Sequence, residues 1–213
     1  GLPTLQYHLD NNLSLSECIY RYSSDSFIQL FAEARQAVRD GRIQLPPEDL
    51  LLLENFDLAR RTNPNTTLLR KDFMIDEYQI IEAKSMGADV VLLIAAALSP
   101  AEIKTLGTLA RSLGMETLLE VHDQEELDRS LGDYISVVGV NNRNLKNFSE
   151  QNVEASKVLA SKIPSQFVKV SESCISGPEI ITELKTYGYR GFLIGESFMK
   201  TDNPGKALSD FIN

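Results

Sequence analysis

Residues 89–122 read DVVLLIAAALSPAEIKTLGTLARSLGMETLLEVH, and this stretch holds the pattern that decides the fold. Residues 90–94 are apolar at every position, which is typical of a parallel strand that is covered on both faces. Ser99 and Pro100 then supply an N-cap and a first-turn proline for a helix that Gly114 ends. A second apolar run follows at once, so the stretch predicts a β-α-β unit.

The same alternation continues on both sides of this unit. Strands are predicted at residues 68–74, 89–95, 116–122, 135–141, 166–171 and 191–195. Helices are predicted between and after them, at residues 76–86, 100–113, 124–131, 151–161, 178–187 and 204–211. We therefore expect an α/β fold of the TIM (β/α)8-barrel type, with six βα units visible.

The first 55 residues follow another pattern and predict a helical N-terminal segment of unrecognised origin. Residues 26–39 carry apolar side chains at helical spacing and end at Asp40-Gly41, as an amphipathic helix with a C-terminal glycine does. Pro46-Pro47 then introduces a second helical stretch at residues 50–58. No strand is predicted here, so the barrel part is expected to occupy residues 56–213.

Composition limits the classes of partner. The chain has 213 residues, 43% of them hydrophobic, and a formal charge of −9, which argues against nucleic acid and leaves room for a small anionic ligand. The two cysteines and two histidines fit no metal or redox spacing, so no cofactor is predicted. No apolar run has the length of a membrane span, and no signal-peptide pattern is found, so a cytoplasmic protein without membrane contact is expected.

Two of the charged side chains in the predicted strands could carry chemistry. Lys71 lies near the end of the first strand, and Glu120 lies within the third. Since the carboxyl ends of parallel strands form the mouth of a barrel, we expect both side chains to face it. A lysine and a glutamate in one low-dielectric mouth fit a general acid and a general base. The plainer alternative is an ion pair that satisfies two buried charges.

The later strand ends carry a different set of residues. Asn141 ends the fourth strand and Arg143 comes two residues later. Glu172 and Ser173 follow the fifth strand, and Gly-Glu-Ser at 195–197 begins at the last residue of the sixth. Small or hydroxyl residues just before a helix are typical of the phosphate site of such barrels. The sequence therefore predicts a phosphorylated small-molecule ligand.

Five motifs together resemble one family. They are LLRKDFMIDEYQ at 68–79, GADVVLLI at 87–94, LEVH at 119–122, GVNNRNL at 139–145 and VSES at 170–173. In order and in spacing they are similar to indole-3-glycerol phosphate synthase, over residues 56–213. The resemblance implies that these residues form βα units 3–8 of that family's barrel.

The resemblance also implies an activity. The family closes the indole ring of a carboxyphenylamino-deoxyribulose 5-phosphate in tryptophan biosynthesis and releases carbon dioxide and water. It is a carboxy-lyase, in which Lys71 is implied as the general acid, Glu120 as the base for dehydration, and Asn141 as the group that orients the reacting atoms. The implied substrate-binding residues are Arg143, Glu172, Ser173, Phe73 and Leu145, and the implied phosphate site is formed by Ser173, Cys174, Gly195 and Glu196.

Some family features are missing. The family's first strand, approximately Ile-Ala-Glu-Val-Lys with a Ser-Pro-Ser-Lys-Gly loop, is not found in residues 1–67, nor is its second strand with a Phe-Gly-Gly-Ser loop. Position 174 is Cys where the family has Gly. Loss of a positioned lysine typically removes enough transition-state binding to abolish useful turnover.

Three functions therefore stay open at the level of sequence. The first is the carboxy-lyase itself. The second is a non-catalytic or engineered barrel fragment, a chimera whose N-terminal helices mediate oligomerisation and cover open strand edges in a homo-oligomer. The third is another sugar-phosphate activity, such as an isomerase, in the same mouth.

Overall fold

A computed structural model describes residues 47–143 and 152–212, together with Gln36 and residues 40–42, and gives the side chains from residue 55 onward in the long ranges. The helix predicted at residues 26–39 lies outside the described residues, apart from the helical Gln36. Leu145 and the predicted start of a helix at residue 151 also lie outside them.

Helices and strands alternate along the described chain. The strands are β1 (Leu69–Arg70), β2 (Val90–Ile94), β3 (Glu116–Val121), β4 (Val137–Asn141), β5 (Val168–Glu172) and β6 (Gly191–Leu193). The helices are α1 (Pro47–Thr62), α2 (Glu77–Ser85), α3 (Pro100–Ser112), α4 (Gln124–Ser130), α5 (Glu154–Leu159), α6 (Pro178–Thr186), α7 (Glu196–Met199) and α8 (Pro204–Ile212). Every strand predicted from the sequence is present, and the short α7 was not predicted.

The strands are parallel and their order in the sheet follows their order in the chain. The described part therefore has the predicted α/β class, with helices as the connections between parallel strands. Within β3, β4 and β5 the register sets Glu120 beside Gly139, and Asn141 beside Glu172.

The first strand is much shorter than residues 68–74, and this prediction was wrong. Only Leu69 and Arg70 pair with β2. Asp72 then turns the chain, because its carboxylate accepts from the backbone N–H of Phe73 at 2.8 Å and its carbonyl accepts from that of Met74 at 3.1 Å. Backbone groups that bond within this turn are not available to a strand ladder.

The chain divides into two compact units, Gly1–Leu92 with Thr105–Glu116 and Leu93–Lys104 with Thr117–Asn213. Buried apolar side chains of the first unit include Ile80 and Val91. Those of the second include Leu119, Val138 and Leu184, none of which exposes any surface.

Arg60 holds the parts of the first unit together around the start of β1. Its guanidinium donates to the carbonyls of Thr66 at 3.0 Å and Gly87 at 2.7 Å, and it pairs with the carboxylate of Asp89. Asp89 also accepts from the backbone N–H of Leu68 at 2.8 Å. Burial alone would raise the pKa of Asp89, but these hydrogen bonds and the Arg60 charge hold it below its usual value.

The helix α1 runs across the predicted boundary between residues 55 and 56. It ends with Arg60 and Arg61 in its last turn, where cations complement the helix dipole. The division of the chain at residue 55 stays a prediction. Within the described residues, no helix is long and apolar enough to cross a membrane.

Candidate active site

The side chains of Glu120 and Asn141 meet at the carboxyl ends of β3 and β4. Asn141 donates from Nδ2 to Oε1 of Glu120 at 3.0 Å, and its Oδ1 accepts from the backbone N–H of Arg143 at 3.0 Å. The second contact fixes which end of the amide faces the carboxylate. Because Glu120 is only 5% exposed, its carboxylate is a buried acceptor with a defined donor.

His122 follows β3 and lies beside the same carboxylate. Residues two apart on an extended chain point to one side, so the positions of Glu120 and His122 favour this contact. The ring Nε2 lies 3.7 Å from Oε1 of Glu120, and Nδ1 lies 3.2 Å from Oε2 of Glu126 in α4. The imidazole is therefore flanked by two carboxylates.

Glu172 closes β5 and its carboxylate lies over the backbone of Gly139. A Cβ built on Gly139 would fall on Oε1 of Glu172, far inside van der Waals contact, and would lie 3.1 Å from Cδ1 of Leu118. Glycine is needed here for space rather than for backbone freedom. Glu172 is 1% exposed, which makes it a carboxylate within the sheet rather than one at the surface.

The turns that follow β5 and β6 are joined by two hydrogen bonds. The backbone N–H of Ser173 donates to the carbonyl of Leu193 at 3.1 Å, and the hydroxyl of Ser197 donates to the carbonyl of Ile175 at 2.9 Å. Ser173 and Cys174 both adopt left-handed backbone, with φ of 66° and 58°. Two such residues in a row cost about 1 kcal/mol or more each and are concentrated at functional sites.

Arg143 brings a positive charge to these turns. Its guanidinium pairs with the carboxylate of Glu196, the first residue of α7, and both side chains are more than a third exposed. Cys174 lies nearby. Burial raises the pKa of its thiol above the usual value, although the Arg143 charge acts in the opposite direction.

A buried set of hydrogen bonds supports the loop between Asn141 and Arg143. The amide of Asn142 donates to Oγ of Ser171 at 2.9 Å and to the carbonyl of Glu172 at 3.0 Å, and its oxygen accepts from the backbone N–H of Ser156 at 3.0 Å. The two serine hydroxyls lie 2.8 Å apart, and the hydroxyl of Tyr189 donates to the carbonyl of Ser156 at 2.7 Å. Burial raises the pKa of Tyr189 to about 12, so this phenol stays a donor at neutral pH.

The predicted residues of the first unit occupy the turn after β1. Lys71 comes directly after the last residue of β1 and is exposed, and Phe73 is 68% exposed. The buried cation of this segment is Arg70, whose guanidinium pairs with Asp72 at 2.9 Å and with Glu82 at 3.3 Å. The structure thus places Lys71 just after β1 rather than within a strand over residues 68–74, and the buried position belongs to its neighbour Arg70.

The second unit brings most of the predicted residues into one connected set. Contacts link Glu120 with Asn141, Asn141 with Arg143, and Arg143 with Glu196, and the turns that carry Ser173 and Gly195 adjoin. Among the described residues, no group of three or more His, Cys, Asp or Glu side chains could hold a metal ion.

His122 and Asn142 were missed as site residues by the reasoning from sequence. The alternation of a strand would have flagged His122, two positions after Glu120. Asn142 lies within the family motif at residues 139–145, but its hydrogen bonds could not be predicted, because its partners are 14 to 30 residues away along the chain.

Comparison with known proteins identifies a family. The sequence profile of indole-3-glycerol phosphate synthase matches residues 54–211. The indole-3-glycerol phosphate synthase of Bacteroides thetaiotaomicron is 52% identical over 145 residues, which cover 68% of this chain and 55% of that protein. That of Variovorax paradoxus is 45% identical over 149 residues, covering 70% and 56%. The chain thus spans just over half the length of these relatives.

Solved structures agree at the level of the fold. A chain of the tryptophan synthase complex from Pyrococcus furiosus superposes with a TM-score of 0.58 at 17% identity, over 76% of this chain and 72% of that one. The crystal structure of KGPDC from Streptococcus mutans gives a TM-score of 0.55 at 15% identity, over 74% of this chain and 76% of that one. These likenesses confirm the TIM-barrel fold class, and the profile and the close relatives confirm the resemblance noted in the sequence. The chain belongs to the indole-3-glycerol phosphate synthase family.

Proposed function

We propose that this chain carries out the carboxy-lyase reaction of its family, closing the indole ring of carboxyphenylamino-deoxyribulose 5-phosphate to give indole-3-glycerol phosphate. The observation that carries the proposal is the buried carboxylate of Glu120, held by the amide of Asn141 at 3.0 Å. A catalytic base must lie within hydrogen-bond reach of the proton that it removes, so its position matters first. The hydrogen bond from Asn141 fixes that position for Glu120.

Glu120 is the proposed base for the dehydration step. A carboxylate that is buried and held on one oxygen by an amide keeps its orientation when a proton is transferred. Asn141 is itself held by the backbone of Arg143, so the amide cannot turn its oxygen toward the carboxylate without losing that bond. Asn141 thereby orients the base.

Lys71 is the proposed general acid, by its position in the family motif KDF at residues 71–73. An ammonium group on a flexible stem can donate a proton to a carbonyl oxygen as the ring closes. Phe73, which exposes its ring in the same turn, is proposed to contact the aromatic part of the substrate.

The proposed phosphate site uses the joined turns after β5 and β6. Left-handed backbone at Ser173 and Cys174 shapes the first of these turns, and Gly195 offers open space at its Cα. Because the N–H of Ser173 already donates to the carbonyl of Leu193, the proposed contacts with the phosphate come from the Ser173 hydroxyl and from the backbone of Cys174, Gly195 and Glu196. Arg143 lies next to these turns and pairs with Glu196. A substrate phosphate would compete with Glu196 for that guanidinium through charge-assisted hydrogen bonds.

The test is turnover at high enzyme concentration, followed by the fluorescence of the indole product. Wild-type protein is expected to form product, and Lys71→Ala and Glu120→Gln are each expected to lose it. Arg111→Met, on the exposed face of α3, is the matched control. Absence of product from wild-type protein at micromolar enzyme over hours would refute the proposal.

A second candidate is a non-catalytic or engineered barrel fragment whose N-terminal helices mediate oligomerisation. It is favoured because the family's first-strand glutamate and lysine are not found in residues 1–67. Under this candidate the chain forms no product and binds neither a substrate analogue nor free phosphate at millimolar concentration. Light scattering at several protein concentrations tests the linked proposal that copies of the chain associate; a monomer at all concentrations would exclude the homo-oligomer.

A further inference from the structure

The ring of His122 is held in one orientation by Glu126. Oε2 of Glu126 accepts from the backbone N–H of His122 at 2.7 Å and lies 3.2 Å from Nδ1 of the ring. Glu126 is fixed in turn, because its backbone N–H donates to the N-cap residue Asp123 at 2.9 Å. The ring therefore has one end anchored to the first turn of α4.

This anchoring determines which ring nitrogen carries the proton. A carboxylate oxygen offers only lone pairs, so a hydrogen bond to Nδ1 requires an N–H there. The hydrogen-bond pattern thus assigns the Nδ1–H tautomer to the neutral ring. In that tautomer Nε2 is an acceptor.

The acceptor Nε2 faces the proposed catalytic base. It is buried, has no hydrogen-bond partner among the described residues, and lies 3.7 Å from Oε1 of Glu120. That separation is too long for a hydrogen bond, as expected for two lone pairs that face each other. Buried polar atoms in proteins usually have a hydrogen-bond partner. A proton on the Glu120 carboxyl group would give Nε2 the donor that it lacks.

We propose that His122 is a positioning residue for Glu120, whose Nε2 accepts a hydrogen bond from the carboxyl group that forms when Glu120 takes a proton from the substrate. In that step the substrate's bond to hydrogen breaks, its electron pair stays on the substrate, and the proton bonds to a Glu120 oxygen. Nε2 then pairs with the new O–H, and the gap between the two atoms closes. No oxidant or second reactant is required.

The functional part of this inference rests on the proposed function, whereas the tautomer does not. His122→Asn keeps a polar atom at the Nδ1 position and removes Nε2, so it is expected to lower kcat about tenfold and to leave KM within about twofold. His122→Gln places an amide oxygen near the Nε2 position and is expected to recover part of that loss. Equal losses in both variants, or a loss confined to KM, would contradict a role through Nε2.

The deciding experiment is ¹⁵N NMR of the imidazole at pH 8. The chain has two histidines, so His8→Gln leaves the signals of His122 alone. The parent is expected to show a protonated Nδ1 and an unprotonated Nε2, and Glu126→Ala is expected to shift the ring toward the Nε2–H form. An Nε2–H tautomer in the parent, the His8→Gln variant, would overturn the inference. This result does not depend on whether Glu126→Ala folds. If the parent shows the Nδ1–H tautomer but the wild-type chain forms no product, the proposed function is refuted and the tautomer assignment stands.

Discussion

The carboxylate of Glu172 occupies the space above the backbone of Gly139 that any other residue would fill with a Cβ atom. This relationship couples two strands, since Glu172 ends β5 and Gly139 lies within β4. The side chain is buried and reaches the sheet interior at the level of Glu120, which pairs in register with Gly139. A single methyl group is therefore enough to disturb this end of the sheet.

Gly139→Ala is expected to displace the carboxylate of Glu172 and to lower kcat/KM more than tenfold. The free energy of unfolding should fall by about 1–3 kcal/mol, as overpacking usually costs. Gly205→Ala is the control, because its new methyl group would meet no atom closer than Oδ1 of Asn203 at 3.7 Å. If Gly139→Ala keeps the wild-type kcat/KM, the observed position of the Glu172 carboxylate is not required for activity.

Asn142→Ala is expected to destabilise the chain by about 2–4 kcal/mol, because it leaves buried partners on Ser156, Ser171 and Glu172 without their hydrogen bonds. Tyr189→Phe removes one hydrogen bond from the same network and should cost about 1 kcal/mol. Urea unfolding of both variants and of the double variant measures this. Strict additivity of the two losses would contradict a coupled network.

Cys174→Gly is expected to stabilise the chain by about 0.5–1 kcal/mol, because glycine adopts the left-handed backbone at no steric cost. Ala207→Gly, in the helix α8, is the control for the greater backbone entropy that glycine gives the unfolded chain. It should lower the free energy of unfolding by about 0.5–1 kcal/mol. Thermal unfolding of the two variants gives the comparison. A loss of stability in Cys174→Gly would contradict this expectation. It would mean that the packing of the thiol stabilises the fold by more than the left-handed backbone costs.

Asp89→Asn is expected to cost about 0.5–1 kcal/mol at pH 6, a modest value because the carboxylate is 46% exposed. The pKa of Asp89 is lowered in the folded chain, so its contribution is complete above the usual value of 3.8 and is lost as pH falls from there through the lowered folded pKa. The difference between wild type and variant should therefore shrink in acid, as urea unfolding at several pH values can measure. Asp210→Asn, which breaks an exposed pair with Lys206, is the control and should change little at any pH. A difference that grew on acidification would contradict the assignment.

Local sequence patterns predicted the helices and strands better than they predicted the hydrogen bonds and ion pairs that hold the site residues in place. The strand β2 and the helix α3 were placed within one residue at each end, because an apolar run, Ser99, Pro100 and Gly114 are signals within the sequence itself. β1 was predicted too long, since the apolar residues after Arg70 look like strand until the turn at Asp72 is seen.

The same distinction applies to the site. The positions of Glu120, Asn141 and Arg143 followed from strand ends and from the family motifs. The pairing of Arg143 with Glu196 and the network around Asn142 did not, because each joins residues that only the folded chain brings together. Contacts of this kind leave no periodic trace in one sequence.

The most direct test of the central claim, that the ends of β3 to β6 bind the phosphorylated ligand of this family, is calorimetric titration with indole-3-glycerol phosphate. Wild-type protein is expected to bind one ligand per chain with submillimolar affinity, and Arg143→Met at least tenfold more weakly, a difference of about 1.4 kcal/mol. Arg111→Met should match wild type. No heat at millimolar ligand, or equal affinity in wild type and Arg143→Met, would contradict the claim.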